Sequence, residues 1–186
     1  MRRAFLLVSL ALAAAGCGTT AEPYVPAVRA PPQEATLDWV ERYPAEEPAL
    51  VFGVRSFAVT TTGWRAEISI ENRSGVGWEV GAGRSTIERA FGVLLFPDDD
   101  LDELERRNRN GTLPTIRPAG TYEPALPQVL GPGKSWSGTI SARGPLAAGL
   151  WVRLSFGPFT SIGDPPAGAE PRVVWFTDRT YRLRAS

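Results

Sequence analysis

The 186-residue chain has no histidine, one cysteine, one methionine and, in Lys134, a single lysine. Without histidine, Ser-His-Asp and Cys-His nucleophile systems are excluded. Zinc sites built on histidine or cysteine, and haem or iron–sulfur ligation by those residues, go with them. A lone cysteine closes no disulfide within the chain, so a folded domain here is held by its core alone. Carboxylate, lysine, tyrosine and hydroxyl chemistry survive, and no cofactor is implied. Neither sign of charge dominates, with 20 basic and 20 acidic residues. Nucleic acid calls for a basic field and is not an expected partner.

What is present begins with the first seventeen residues, MRRAFLLVSLALAAAGC. Arg2 and Arg3 precede an apolar run from Ala4 to Gly16, broken only by Ser9 and ending at Cys17. That run is shorter than the roughly 20 residues a membrane-spanning helix needs. A charged start, a short apolar middle and small residues at the end describe an export signal. Ala14-Ala15-Gly16-Cys17 resembles the lipobox of bacterial lipoproteins, with alanine where leucine is commonest, three positions before the cysteine. The resemblance implies that residues 1–16 are a signal peptide and that a diacylglyceryl group is attached to the Cys17 thiol. Two acyl chains meet the requirement that stable anchoring takes more than one, at about 0.8 kcal/mol per buried CH₂. The bacterial membrane is then the first expected partner, and the cell envelope the expected location.

Residues 17–49 read as a proline-rich tether, with Pro23, Pro26, Pro31, Pro32, Pro44 and Pro48 favouring extended, semi-rigid chain. Glu34 to Tyr43 reads equally as a short helix stopped by Pro44 or as plain linker. From Leu50 the texture changes to short apolar runs bounded by turn residues, and residues 50–186 are expected to form one domain. Trp64 to Glu71 alternates without fault, with Trp64, Ala66, Ile68 and Ile70 on one face. Further strands are expected at Val51–Thr60, Trp78–Val80, Glu88–Phe96, Ser135–Ala142, Leu150–Phe159, Arg172–Phe176 and Thr180–Arg184. The fold expected is all-β: an immunoglobulin-like antiparallel β-sandwich of seven to eight strands with one short helical insertion. The order of signals resembles small immunoglobulin-like domains of bacterial surface lipoproteins and of the intracellular proteinase inhibitor type. The matching residues are Ile68 to Ser74, Pro132-Gly133 and Gly149 to Val152. Function does not travel with so general a pattern.

The insertion is Pro97 to Gly111. Asp98, Asp100 and Asp102 alternate as in a calcium loop, but Glu103 and Arg109 stand where such a loop needs glycine and a closing acid. A helix accounts for more of it. Asp98 or Asp99 caps it, arginines crowd the last turn, and Asn110-Gly111 stops it. Asp102–Arg106, Glu103–Arg107 and Glu105–Arg109 are acid-before-base pairs four residues apart, and Leu101 and Leu104 are expected against the sheet. Gly133-Lys134-Ser135 lacks the earlier glycine of a phosphate loop, Gln128 standing there. Gly81-Ala82-Gly83 has Thr86 where a third glycine belongs.

The function expected is a non-enzymatic, membrane-anchored binding module for an envelope protein or an extracellular ligand. Asp98, Asp100 and Asp102 on the insertion, the 160–171 loop, and Trp151, Arg153 and Trp175 are the candidate contact residues, since Trp and Arg are typical anchors. The other reading of the Trp151 and Trp175 face, and the one slightly favoured, is a second buried face. The alternatives are a glycan hydrolase drawing a carboxylate pair from Glu67, Glu71, Asp98 and Glu123, and a proteinase-inhibitor-like domain. Lipidation makes a direct prediction. Cells fed labelled palmitate are expected to label the chain, and Cys17→Ser to abolish that label; an equally labelled variant contradicts the lipobox reading.

Overall fold

The computed structural model describes residues 28–81 and 90–185. Cys17, the signal and lipobox, the tether up to residue 27, and Gly83, Thr86 and Glu88 lie outside the described residues.

Two antiparallel sheets face each other. The first has the order β1 (Gln33–Tyr43), β2 (Leu50–Val59), β3 (Gly63–Asn72), β9 (Ser135–Arg143), β7 (Thr121–Glu123). The second is centred on β10 (Trp151–Ser161). Along one edge of β10 run β4 (Trp78–Val80) and β5 (Gly92–Phe96), flanked in turn by β8 (Val129–Leu130) and β6 (Arg117–Pro118). Along the other edge run β11 (Arg172–Phe176) and β12 (Tyr181–Arg182). Each of these edges is one strand broken in two. Sheet orders β2-β3-β9-β7 and (β4, β5)-β10-(β11, β12) are those of an immunoglobulin-like sandwich, with β1 added at the edge of the first sheet.

The alternation expected for Trp64 to Glu71 is realised: Trp64, Ala66, Ile68 and Ile70 are buried between the sheets. Against them pack Val152, Leu154, Phe156 and Phe159 of β10. Phe52, Phe91, Phe156 and Phe159 meet ring to ring with centroids 4.9–6.2 Å apart, contacts worth about 0.5–1.5 kcal/mol each beyond area burial. Proline inside a central strand is tolerated only at a bulge. Pro158 sits at one, where the pairing of β10 with β11 shifts register between Phe156 and Phe159. Gly157 there has φ +122°, and a Cβ would meet the Val173 carbonyl oxygen at 2.8 Å.

Two expectations need correction. Residues 33–43 are neither tether nor helix but the eleven-residue strand β1, so the domain begins inside the stretch read as linker. Leu37, Trp39, Glu41 and Tyr43 share its inward face at strand period. Twelve strands form among the described residues instead of seven or eight: beyond the segments expected there are β1 and the short β6, β7 and β8, of two or three residues each. The helical insertion is present as α1 (Leu101–Arg109), capped by the Asp100 side chain, which accepts from the Asp102 N–H at 2.9 Å.

The turn read at Asn72 is tied across the fold. The Asn72 side chain is fully buried; its amide donates to the carbonyls of Val76, Leu130 and Gly131, and its oxygen accepts from the Ser74 N–H and hydroxyl. It joins the end of β3 to the β8–β9 turn. Removing a buried donor leaves its acceptors unsatisfied, at about 1–3 kcal/mol per group. Asn72→Ala is therefore expected to lower stability by about 3 kcal/mol in urea unfolding; a loss within error of zero would contradict this role.

Candidate functional site

Helix α1 lies on the outer face of the second sheet. Leu104 enters a small cluster with Leu94 and Phe96, flanked by Leu113, Ile116, Trp151 and Phe176. This gives β10 a second buried face. The alternation expected along β10 holds, with Val152, Leu154 and Phe156 facing one way and Trp151, Arg153 and Ser155 the other. What covers the second set is the helix and its flanking loops.

Arg153 is the consequence. The candidate contact arginine is fully buried, so it is not part of an exposed patch. Its Nη1 donates to the carbonyls of Thr177 at 2.9 Å and Asp178 at 2.5 Å. Its Nη2 donates to those of Asp99 at 2.9 Å and Asp100 at 3.3 Å. The guanidinium carbon lies 5.6 Å from the Phe96 ring centre, and among the described residues Nε finds no hydrogen-bond acceptor. One side chain thus holds the segment that starts α1 and the turn that follows β11. A planar fork serves four carbonyls at once as an ammonium cannot. Burial pushes its pKa down, while Asp178, Glu41, Asp99 and Asp98 oppose that shift.

Beside it, β1 contributes Glu41, which is buried. One carboxylate oxygen accepts from the Trp175 indole N–H at 2.6 Å; the other accepts from the Asp178 N–H at 2.9 Å and the Arg179 N–H at 3.4 Å. Burial raises the Glu41 pKa, and the bonds from Trp175, Asp178 and Arg179 oppose it. Burial also raises that of Asp178, against the pull of Arg153. Trp175 is half-buried, stacked on Phe52 with centroids 6.0 Å apart and tilted against Tyr43 at 5.6 Å.

Between α1 and β11 these contacts leave an open groove of about 330 Å³. Its apolar lining includes Tyr43, Leu101, Leu104, Val174 and Trp175, and its charged lining is Glu105, Glu170, Asp178 and Arg172. Leu101, expected against the sheet, is 37% exposed here, as is Val174. The 160–171 loop reaches the groove through Glu170, whose N–H donates to the Tyr43 hydroxyl at 2.7 Å.

The chain matches no protein-family model, no curated protein and no solved structure. The site therefore has to be read from its own chemistry.

Of the residues singled out in the sequence, Trp175 lines the groove, Asp100 caps the helix that walls it, and Arg153 lies beneath. Trp151 stands at the far side of the helix seat, half-buried, with the Arg182 guanidinium 5.6 Å from its ring. Asp98 accepts from the Asp100 N–H at 3.3 Å, and Asp102 is exposed on the first helical turn. Among the described residues no group of acidic or thiol side chains is arranged to hold a metal ion. Arg106 and Arg107 both reach Glu103, and Arg109 reaches Glu105 at 3.5 Å; Arg106 does not take the expected partner Asp102. The carboxylates considered for hydrolysis are spread out. Glu67 and Glu71 lie on β3 beside Arg55 and Arg73, at 3.7 and 2.9 Å, and the bond from Arg73 lowers the Glu71 pKa. Glu123 is on β7, and Asp98 belongs to the insertion on the other sheet. Sequence reasoning missed Glu41, Tyr43 and Asp178. Leu37, Trp39 and Tyr43 alternate in the sequence, but the carboxylate of Glu41 interrupts that apolar pattern.

The raised Glu41 pKa has a definite sign. The folded state holds the proton more tightly than the unfolded chain, so stability falls as pH rises from 4.5 through the raised value. Glu41→Gln loses at least one acceptor and is expected to cost about 2 kcal/mol near pH 5, the gap to wild type narrowing toward pH 7. Urea midpoints across this range check it; a gap that widens with pH would contradict the assignment.

Proposed function

We propose that this protein is a lipid-anchored, non-enzymatic binding module of the bacterial cell envelope, and that the groove between α1 and β11 is its contact surface. The observation that supports this most is the groove itself. Large side chains left half open on a sandwich, with polar groups at the rim, mark an interaction site more often than scattered surface apolar residues do. Leu101 and Val174 are two of the exposed large hydrophobic residues among the described ones, and they line the same groove.

The direction of the chain bears on how such an anchor would present the groove. Residues 28–30 run along the 146–148 segment before β1 begins. Tyr43 closes β1 at the groove, and ten steps of about 3.3 Å put it roughly 33 Å from Gln33. A lipid on Cys17 would then hold the chain from the end of β1 opposite the groove.

A photoreactive phenylalanine analogue placed at Leu101 or Val174 in intact cells tests this. One adduct partner is expected from both positions, absent from the same analogue at Glu67 on the opposite sheet and reduced in Cys17→Ser. Equal adducts at all three positions, or none at Leu101 and Val174, would count against the groove as the contact surface.

A further inference from the structure

We infer that the groove takes an extended, basic polypeptide segment, which adds as a strand to the open edge of β11. This rests on the binding-module reading and specifies its ligand.

The backbone comes first. β11 pairs with β10 on one side, and among the described residues no strand pairs with its other side. The Thr177 N–H donates to Leu154 and the Ser161 N–H to Pro171, each across the β10–β11 pairing. Hydrogen-bonding direction alternates along an antiparallel strand. Val173 and Trp175 therefore bond toward β10, while Arg172, Val174 and Phe176 turn their N–H and C=O groups to the open edge. Such an edge templates a further strand.

The walls then select what can lie there. An extended segment reaches the edge groups that a helix, with its backbone bonds already made, does not use. Its alternate side chains meet Leu101 and Leu104 on the helix side. Charge sets the last feature. Glu105, Glu170 and Asp178 line the groove against Arg172 alone, and although Arg109 reaches Glu105, the lining favours lysine or arginine on the incoming strand.

The test uses the full chain purified in detergent and three capped eight-residue peptides: alternating valine and lysine, alternating valine and glutamate, and the lysine peptide N-methylated at alternate amides. The lysine peptide is expected to bind, with slowed exchange of the Val174 and Phe176 amides, and the other two at least tenfold more weakly. Val174→Pro removes an edge N–H that β10 does not use, and the same tenfold loss is expected. The methylated peptide makes the same point with no change to the protein. Binding that survives both methylation and Val174→Pro would overturn strand addition while leaving a binding module. Equal uptake of the glutamate peptide would overturn the basic ligand. Failure of all peptides, with Val174→Pro dissolving a dimer seen in sedimentation, would put a second copy on the edge and overturn the inference. Failure of all peptides while Leu101 still yields its adduct in cells would also overturn it, leaving the groove to another ligand.

Discussion

The groove depends on one buried guanidinium. Arg153 is removed from water completely, and an ion so placed costs several kcal/mol unless its donors are met. Four backbone carbonyls from two segments meet those of Nη1 and Nη2, and among the described residues only Nε goes without. Because carbonyls rather than carboxylates receive the bonds, the positive charge is left to be balanced at longer range by Asp178 and Glu41. The arrangement is costly to build and costly to break, which is how a buried polar centre specifies geometry. It fixes where α1 starts and where the chain turns after β11, so both walls of the groove are set by the same side chain.

Around that centre the apolar contacts supply most of the cohesion. Leu104 seats the helix on Leu94 and Phe96, while Phe176 and Trp151 close the sides. Trp175 does two jobs at once. Its ring packs on Phe52 and Tyr43, and its N–H reaches Glu41, so β1 of one sheet is locked to β11 of the other. Rigid walls of this kind lower the entropic cost of receiving a ligand, and the unpaired edge of β11 is presented between them rather than left bare to solvent.

Much of the sandwich was legible in the sequence because its strands are half buried. Trp64 to Glu71 states both its period and its inward face, and Trp78–Val80 and Arg172–Phe176 are found where their residues place them. β1 was not legible for a physical reason. Its inward positions include a carboxylate, Glu41, and its rim is rich in proline, so the apolar alternation that marks a strand is interrupted at the residue that matters most. Arg153 was misread by the same logic in reverse. Its parity was right, but no local pattern says that a helix from fifty residues away will cover that face and that backbone carbonyls will satisfy its charge. Long-range burial of a polar residue leaves almost no mark on the residues beside it.

The most direct measurement is amide hydrogen exchange of Arg153→Met against the native chain. The side chain's apolar length is kept and the four hydrogen bonds are lost. Amides of α1 and of the 177–179 turn are predicted to exchange many times faster, while those at the centre of β2 and β3 keep their protection. If α1 is as protected in the variant as in the native protein, Arg153 does not hold the groove together, and the account fails at its centre.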